Sequence, residues 1–178
     1  MNKKNNLIWL DLEMTGLNIK KNHILSIGII ITNNKLKILS PSLEIVIKQS
    51  KKKLKRMNLW NKTIHKKNGL IKKSLQSLYT ENSAEKKILK FLKKWSIKNN
   101  SPLCGNSIHQ DRKFLLKYMP KLEKYFHYRS IDVSTIKELY YRWKKKKIKK
   151  KNRHQTISDI KESIKELLFY KKNFFKIK

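Results

Sequence analysis

The stretch Ile24 to Thr32 (ILSIGIIIT) limits the possible folds more than any other part of the chain. Five of its residues are isoleucine, and β-branched side chains pack well on a pleated surface. The run lacks the alternation of a strand with one wet face, so it predicts a strand buried on both sides. Leu7 to Leu12 is a shorter run of the same kind. Asn33-Asn34 can take the positive φ of a tight turn, and Lys35 to Ile47 reads as returning strands interrupted near Pro41. The chain therefore opens with an antiparallel meander of three strands.

From Lys51 the apolar spacing becomes helical, through Leu54, Met57, Leu59, Trp60, Leu70, Ile71, Leu75 and Leu78. A clearer helix runs from Ser83, its expected N-cap, to Ile97, with Ile88, Leu89, Leu92 and Trp95 on one face. Pro102 to Gly105 predicts a short strand, and Ser107 with Gln110 a capping box for a helix over Ile108 to Tyr118. A strand over His127 to Ile131 leads to a helix that starts at Asp132 or Ser134 and ends at Trp143. Lys144 to Lys151 (KKKKIKKK) reads as a basic loop, and Ser158 to Tyr170 as the last helix. A meander followed by strands alternating with helices predicts an α/β protein, a mixed sheet flanked by helices, in a single domain over residues 1–178.

The net charge of +33 and a pI near 10.3 make a polyanion the natural partner. Only Arg56, Arg112, Arg129, Arg142 and Arg153 of the 45 basic residues are arginine, and lysine on a solvated face usually carries no specific role. Most of the charge is therefore read as compositional background. Cys104 is the single cysteine, which excludes an internal disulfide and a cysteine-based zinc site and suggests a reducing compartment. The start, MNKKNNLIWLDLE, lacks the apolar length and cleavage site of a signal peptide. No segment has the ~18 apolar residues of a membrane span. A cytoplasmic protein without membrane association is expected.

Against this basic background the carboxylates stand out. Asp11 and Glu13, two apart on a strand, point to one side while Ile8, Leu10 and Leu12 point to the other. Such a pair is tolerable at an exposed strand end, with one acid protonated, or with a bound divalent cation. Asp111 shares a helical stripe with Phe114, Leu115 and Tyr118, and can be either a cation ligand or an acid stabilised in a first helical turn. Thr156-x-x-Asp159 taken alone is a capping box. His154 would lie about 140° from Asp159 on one helix, so it fits better in the loop before it, leaning over the same place.

In this order, Asp11-x-Glu13, Asp111 and His154-x4-Asp159 resemble the motifs of the DEDDh exonucleases. Longer words are similar to the oligoribonuclease branch of that family: NLIWLDLEMTGL (6 to 17), PLCGNSIHQDRKFLLKYMP (102 to 120), FHYRSIDVSTIKEL (126 to 139) and HQTISDIKESIKEL (154 to 167). The resemblance implies a ribonuclease H-like fold and 3′-to-5′ hydrolysis of short single-stranded RNA, dinucleotides above all, to 5′-mononucleotides. It implies two Mg²⁺ or Mn²⁺ ions held by Asp11, Glu13, Asp111 and Asp159, with His154 as general base. It also implies that Leu17 and Trp60 line the base-binding side, with His65 near it. Ser107, Ser134 and Thr135 would cap the 5′ phosphate with Tyr128 and Arg129 from a second subunit, which makes a homodimer the expected active form. Without the resemblance, Leu17 and Trp60 read as ordinary packing residues.

Three features depart from the family pattern. Ser26 stands where an acid is usual, His109 where a glycine is common, and the loop before His154 is short and rich in lysine. None removes a ligand. Two rivals remain at this level: a DEDDh exonuclease acting on longer RNA or DNA 3′ ends, and a basic RNA-binding protein with an unused site.

Overall fold

A computed structural model describes residues 3–146 and 154–175. Five strands form one mixed sheet: β1 (Leu7–Met14), β2 (Ile24–Thr32), β3 (Leu43–Val46), β4 (Leu103–Gly105) and β5 (Ser130–Asp132), in the order β3-β2-β1-β4-β5. The expected meander is present, with β1–β2 and β2–β3 antiparallel. The pairs β1–β4 and β4–β5 are parallel. Every residue of β2 is buried, as its composition predicts.

Eight helices accompany the sheet among the described residues: α1 (Lys51–Lys55), α2 (Leu59–Lys67), α3 (Leu70–Gln76), α4 (Glu81–Trp95), α5 (Ile108–Tyr118), α6 (Pro120–Glu123), α7 (Val133–Lys144) and α8 (Thr156–Asn173). Strand alternation sorts the core into two layers. Ile8, Leu10 and Leu12 face Ala84, Ile88 and Leu92 of α4 and Phe114 and Leu115 of α5. On the other face Trp9, Ile30 and Cys104 meet Val133 and Tyr140 of α7 and Ile160, Ile164 and Tyr170 of α8. Asp11 and Glu13 share the parity of Trp9, so their side of the sheet is the one that α8 covers.

Several local expectations are corrected. The helix predicted from Ser83 begins at Glu81, because Thr80 is its N-cap and Ser83 supplies the reciprocal half of the box. The returning segment after Asn33-Asn34 pairs only as β3, plus one bridge between Ile38 and Thr32. The strand expected over His127 to Ile131 lies at Ser130–Asp132. Ser107 makes no side-chain cap; its φ of 54° turns the chain, and the Asp132 carboxylate takes over the capping. The backbone N–H groups of Ser107, Ile108 and Ser134 donate to that carboxylate at 2.9, 3.1 and 2.9 Å. One aspartate thus ties the starts of α5 and α7 together. Residues 147–151 of the basic run lie outside the described residues.

Candidate active site

Strand β1 carries Asp11 and Glu13 opposite Gly28 and Ser26 of β2, and Gly28 in turn lies opposite Glu44 of β3. The two small residues leave a shallow place on the sheet, and the first turn of α8 fills it. A Cβ on Gly28 would sit 2.6 Å from Cβ of Thr156, so this contact requires glycine. The capping-box reading of Thr156 is corrected here: it is buried at the first position of α8, and its hydroxyl donates to Glu44 Oε1 at 3.0 Å. Asp159, one turn on, accepts from the Gln155 backbone N–H at 3.1 Å.

This seating brings distant parts of the sequence together. One ligating atom each of Glu13, His154 and Asp159 lies within 4.8 Å of the others. His154 stands before the helix with φ 51°, as its angular separation from Asp159 required. The Trp60 ring meets its imidazole edge-on at 5.3 Å between centroids. Asn68, which the sequence did not single out, donates from Nδ2 to the His154 carbonyl at 2.8 Å. A cavity of about 370 Å³ opens beside the cluster, lined by Glu13, Ser26, Glu44, Asn68, His154 and Thr156 among others.

Asp111 approaches from α5. It is buried, and its Oδ1 accepts from the backbone N–H of Leu12, the residue between Asp11 and Glu13, at 2.9 Å. Burial pushes its carboxyl up to about 8, with Asp132 and Glu13 adding repulsion against the lowering effect of that hydrogen bond. Burial likewise pushes Glu13 up to about 7, with Asp159 and Glu44 contributing. Both shifts favour the protonated acids more than water does, and a cation arriving beside them would favour release of those protons. Oxygen donors beside one imidazole, with no thiolate, suit a hard divalent cation. Cys104 is buried and its thiol is pushed up, which leaves it inert.

The remaining candidates surround this centre unevenly. Leu17 is 66% exposed after β1, and Trp60 is 59% exposed on α2. His65 is buried instead, with Nε2 3.0 Å from the Met14 carbonyl and 3.9 Å from Glu13 Oε2. Burial lowers its pKa, with His154 adding to that effect, so the neutral ring donates to Met14 and fixes the end of β1. Ser107 and Ser134 lie together, their hydroxyls 3.2 Å apart, and Thr135 is exposed on the next position. Tyr128 is 74% exposed, with the Arg129 guanidinium 5.3 Å from its ring centre. Arg112 holds their segment by donating to the carbonyls of His127 and Tyr128 and to Ser130 Oγ. His109 lies 3.8 Å from Asp132, away from the acid cluster's strand pair.

The chain is similar to known proteins over almost all of its length. Residues 8–167 match the family model described as exonuclease, of the RNase T type. The oligoribonuclease of Buchnera aphidicola subsp. Acyrthosiphon pisum is 55% identical over all of this chain and 98% of its own length. That of Buchnera aphidicola subsp. Schizaphis graminum is 58% identical over 96% of this chain and 93% of its own. The oligoribonuclease of Wigglesworthia glossinidia brevipalpis is 54% identical over 99% and 96%. Among solved structures, E. coli exonuclease I in complex with a dT13 oligonucleotide superposes with a TM-score of 0.74 at 12% identity. It covers 97% of this chain and 42% of that one, a likeness of fold.

Proposed function

The chain belongs to the oligoribonuclease branch of the exonuclease family, with its ribonuclease H-like mixed sheet, and from that membership we propose how residues 1–178 work as one exonuclease domain. The protein is a 3′-to-5′ exoribonuclease that degrades short oligoribonucleotides, dinucleotides above all, to 5′-mononucleotides. The observation that carries the reading is the meeting of Glu13, His154 and Asp159 within 4.8 Å from opposite ends of the sequence. Enzymes of this type use divalent metal ions. Two such ions, Mg²⁺ or Mn²⁺, bound by Asp11, Glu13, Asp111 and Asp159, would stabilise the charge that develops on the phosphodiester.

His154 acts as the general base. An imidazole can take the proton of an attacking water, and the place of His154 beside Glu13 and Asp159 supports that role. Leu17 and Trp60 offer exposed apolar surface to the terminal bases. Ser107, Ser134 and Thr135 offer hydroxyls to the 5′ phosphate, joined in a homodimer by Tyr128 and Arg129 of the partner subunit. Such a cap excludes long chains. No helix among the described residues is long and apolar enough to cross a membrane, and a cytoplasmic location fits the single reduced cysteine.

Incubation of 5′-labelled dinucleotide and of a longer RNA, each with Mg²⁺ and with EDTA, tests the proposal. Metal-dependent release of mononucleotide, faster from the dinucleotide, is expected. Faster cutting of the long RNA would reject the short-substrate specificity. Tight RNA binding without turnover would reject the nuclease reading altogether.

A further inference from the structure

We infer that Asn68 is a positioning residue for His154, a latch through which the corner between α2 and α3 holds the base over the acid cluster. The inference rests on the proposed role of His154 and names what sets its geometry.

Asn68 is the C-cap of α2, followed by Gly69 at φ 75° and then α3. Its side-chain amide is used at both ends. Oδ1 accepts from the Leu70 backbone N–H at 3.1 Å, which caps α3 and fixes the rotamer. Nδ2 donates to the His154 carbonyl at 2.8 Å. His154 itself is in the left-handed region, φ 51°, which a residue with a Cβ keeps only when its surroundings impose it. The Trp60 edge contact restrains the ring but not the peptide, and Trp60 is itself more than half exposed. The hydrogen bond from Asn68 acts on the backbone of His154 directly. Since α3 packs on the sheet through Leu70 in a cluster with Leu25, the latch ties the base to the same β2 strand that pairs with Glu13.

Two substitutions separate the latch from the local cap. Asn68→Asp keeps an acceptor for Leu70 N–H but has no donor for His154, whereas Asn68→Ala removes both. Both variants should lose roughly tenfold or more in kcat on a dinucleotide with KM within about twofold, as expected when an oriented base is loosened. Both should also show several-fold faster hydrogen exchange at the Gln155 and Thr156 amides, measured without substrate or metal. A wild-type kcat and wild-type exchange in Asn68→Asp would reduce Asn68 to a cap and overturn the inference. A raised KM at unchanged kcat would assign the residue to substrate contact and overturn it as well. If the unaltered protein turned over no RNA, the functional reading would fail, and the exchange data would still decide whether the latch exists.

Discussion

Asp111 and His154 flank the same stretch of β1, yet Asp111 is held by the interior and His154 by the edge. Asp111 sits in α5 between Ile108 and Phe114, all buried, with its carboxylate on the Leu12 backbone N–H. Its position cannot change without opening the core. His154 precedes α8, half-buried, in a left-handed conformation, with a hydrogen bond from Asn68 and a ring contact from Trp60 among the described residues. The difference teaches where each kind of group belongs. A cation ligand benefits from fixed geometry and from an environment that penalises its charge until the cation binds. A base must exchange protons with water, and it stays closer to solvent.

The largest expected effects come from removing one residue of each kind. Asp111→Asn and His154→Ala should each lower kcat by about 10²–10⁴-fold, the range of a lost electrostatic or general-base contribution. They should part in a thermal melt. In the unaltered protein, a divalent cation at about a hundred times its Kd adds about 2.7 kcal/mol, or roughly 5–10 °C in Tm. His154→Ala should keep that shift and Asp111→Asn should lose it. Loss of the shift in His154→Ala would make His154 a ligand rather than a base and dissolve the contrast.

A second test uses pH on the metal-stripped protein. The carboxyls of Asp111 and Glu13 are pushed up to about 8 and about 7 by burial, whereas in the unfolded chain they titrate near ~4. Between those values the folded state holds more protons than the unfolded one, so stability is full at low pH and is lost as pH rises through about 7–8. In EDTA the Tm should therefore fall between about pH 5 and pH 8, and saturating Mg²⁺ should flatten or reverse the slope. Glu13→Gln should remove part of the fall. A Tm that rises over this interval in EDTA would show that the acids are not buried together as described.

Much of this was readable from residue order. The isoleucine run of β2 and the parity of Asp11 and Glu13 follow from local spacing, and each survives intact in the fold. The tie of Asn68 to His154 joins residues |i−j| = 86 apart and has no local signal, because an asparagine before a glycine reads simply as a turn. Asp132 was legible as a cap of α7, but not as the cap of α5 as well, since that depends on β4 and β5 lying side by side. The assignment of a side-chain cap to Ser107 failed for the same reason. Ser26 looked like a lost acid. In the fold, Glu44 on the neighbouring strand faces the same cavity and adds to the repulsion on Glu13.

The smallest expected effect sharpens the contrast most, because it moves one side of the site and not the other. Gly28→Ala would place a methyl 2.6 Å from Thr156 Cβ, 2.8 Å from its Oγ1 and 3.2 Å from Ile157 Cδ1. The two nearest atoms belong to the short, buried side chain of Thr156 in the first turn of α8, so that turn has to shift; overpacking of this kind costs about 1–3 kcal/mol. Asp159 and His154 move with the turn, and kcat should fall by roughly tenfold. Thr156→Gly in the same chain removes both Thr156 atoms in the way, and part of both losses should return, a coupling of about 0.5–3 kcal/mol in a double-mutant cycle. Throughout, the Leu12 amide should keep its exchange protection, because its bond to Asp111 lies on the α5 side of β1. Strictly additive losses would mean that α8 is not seated on Gly28. Loss of Leu12 protection would mean that the interior and the edge of the site move as one body.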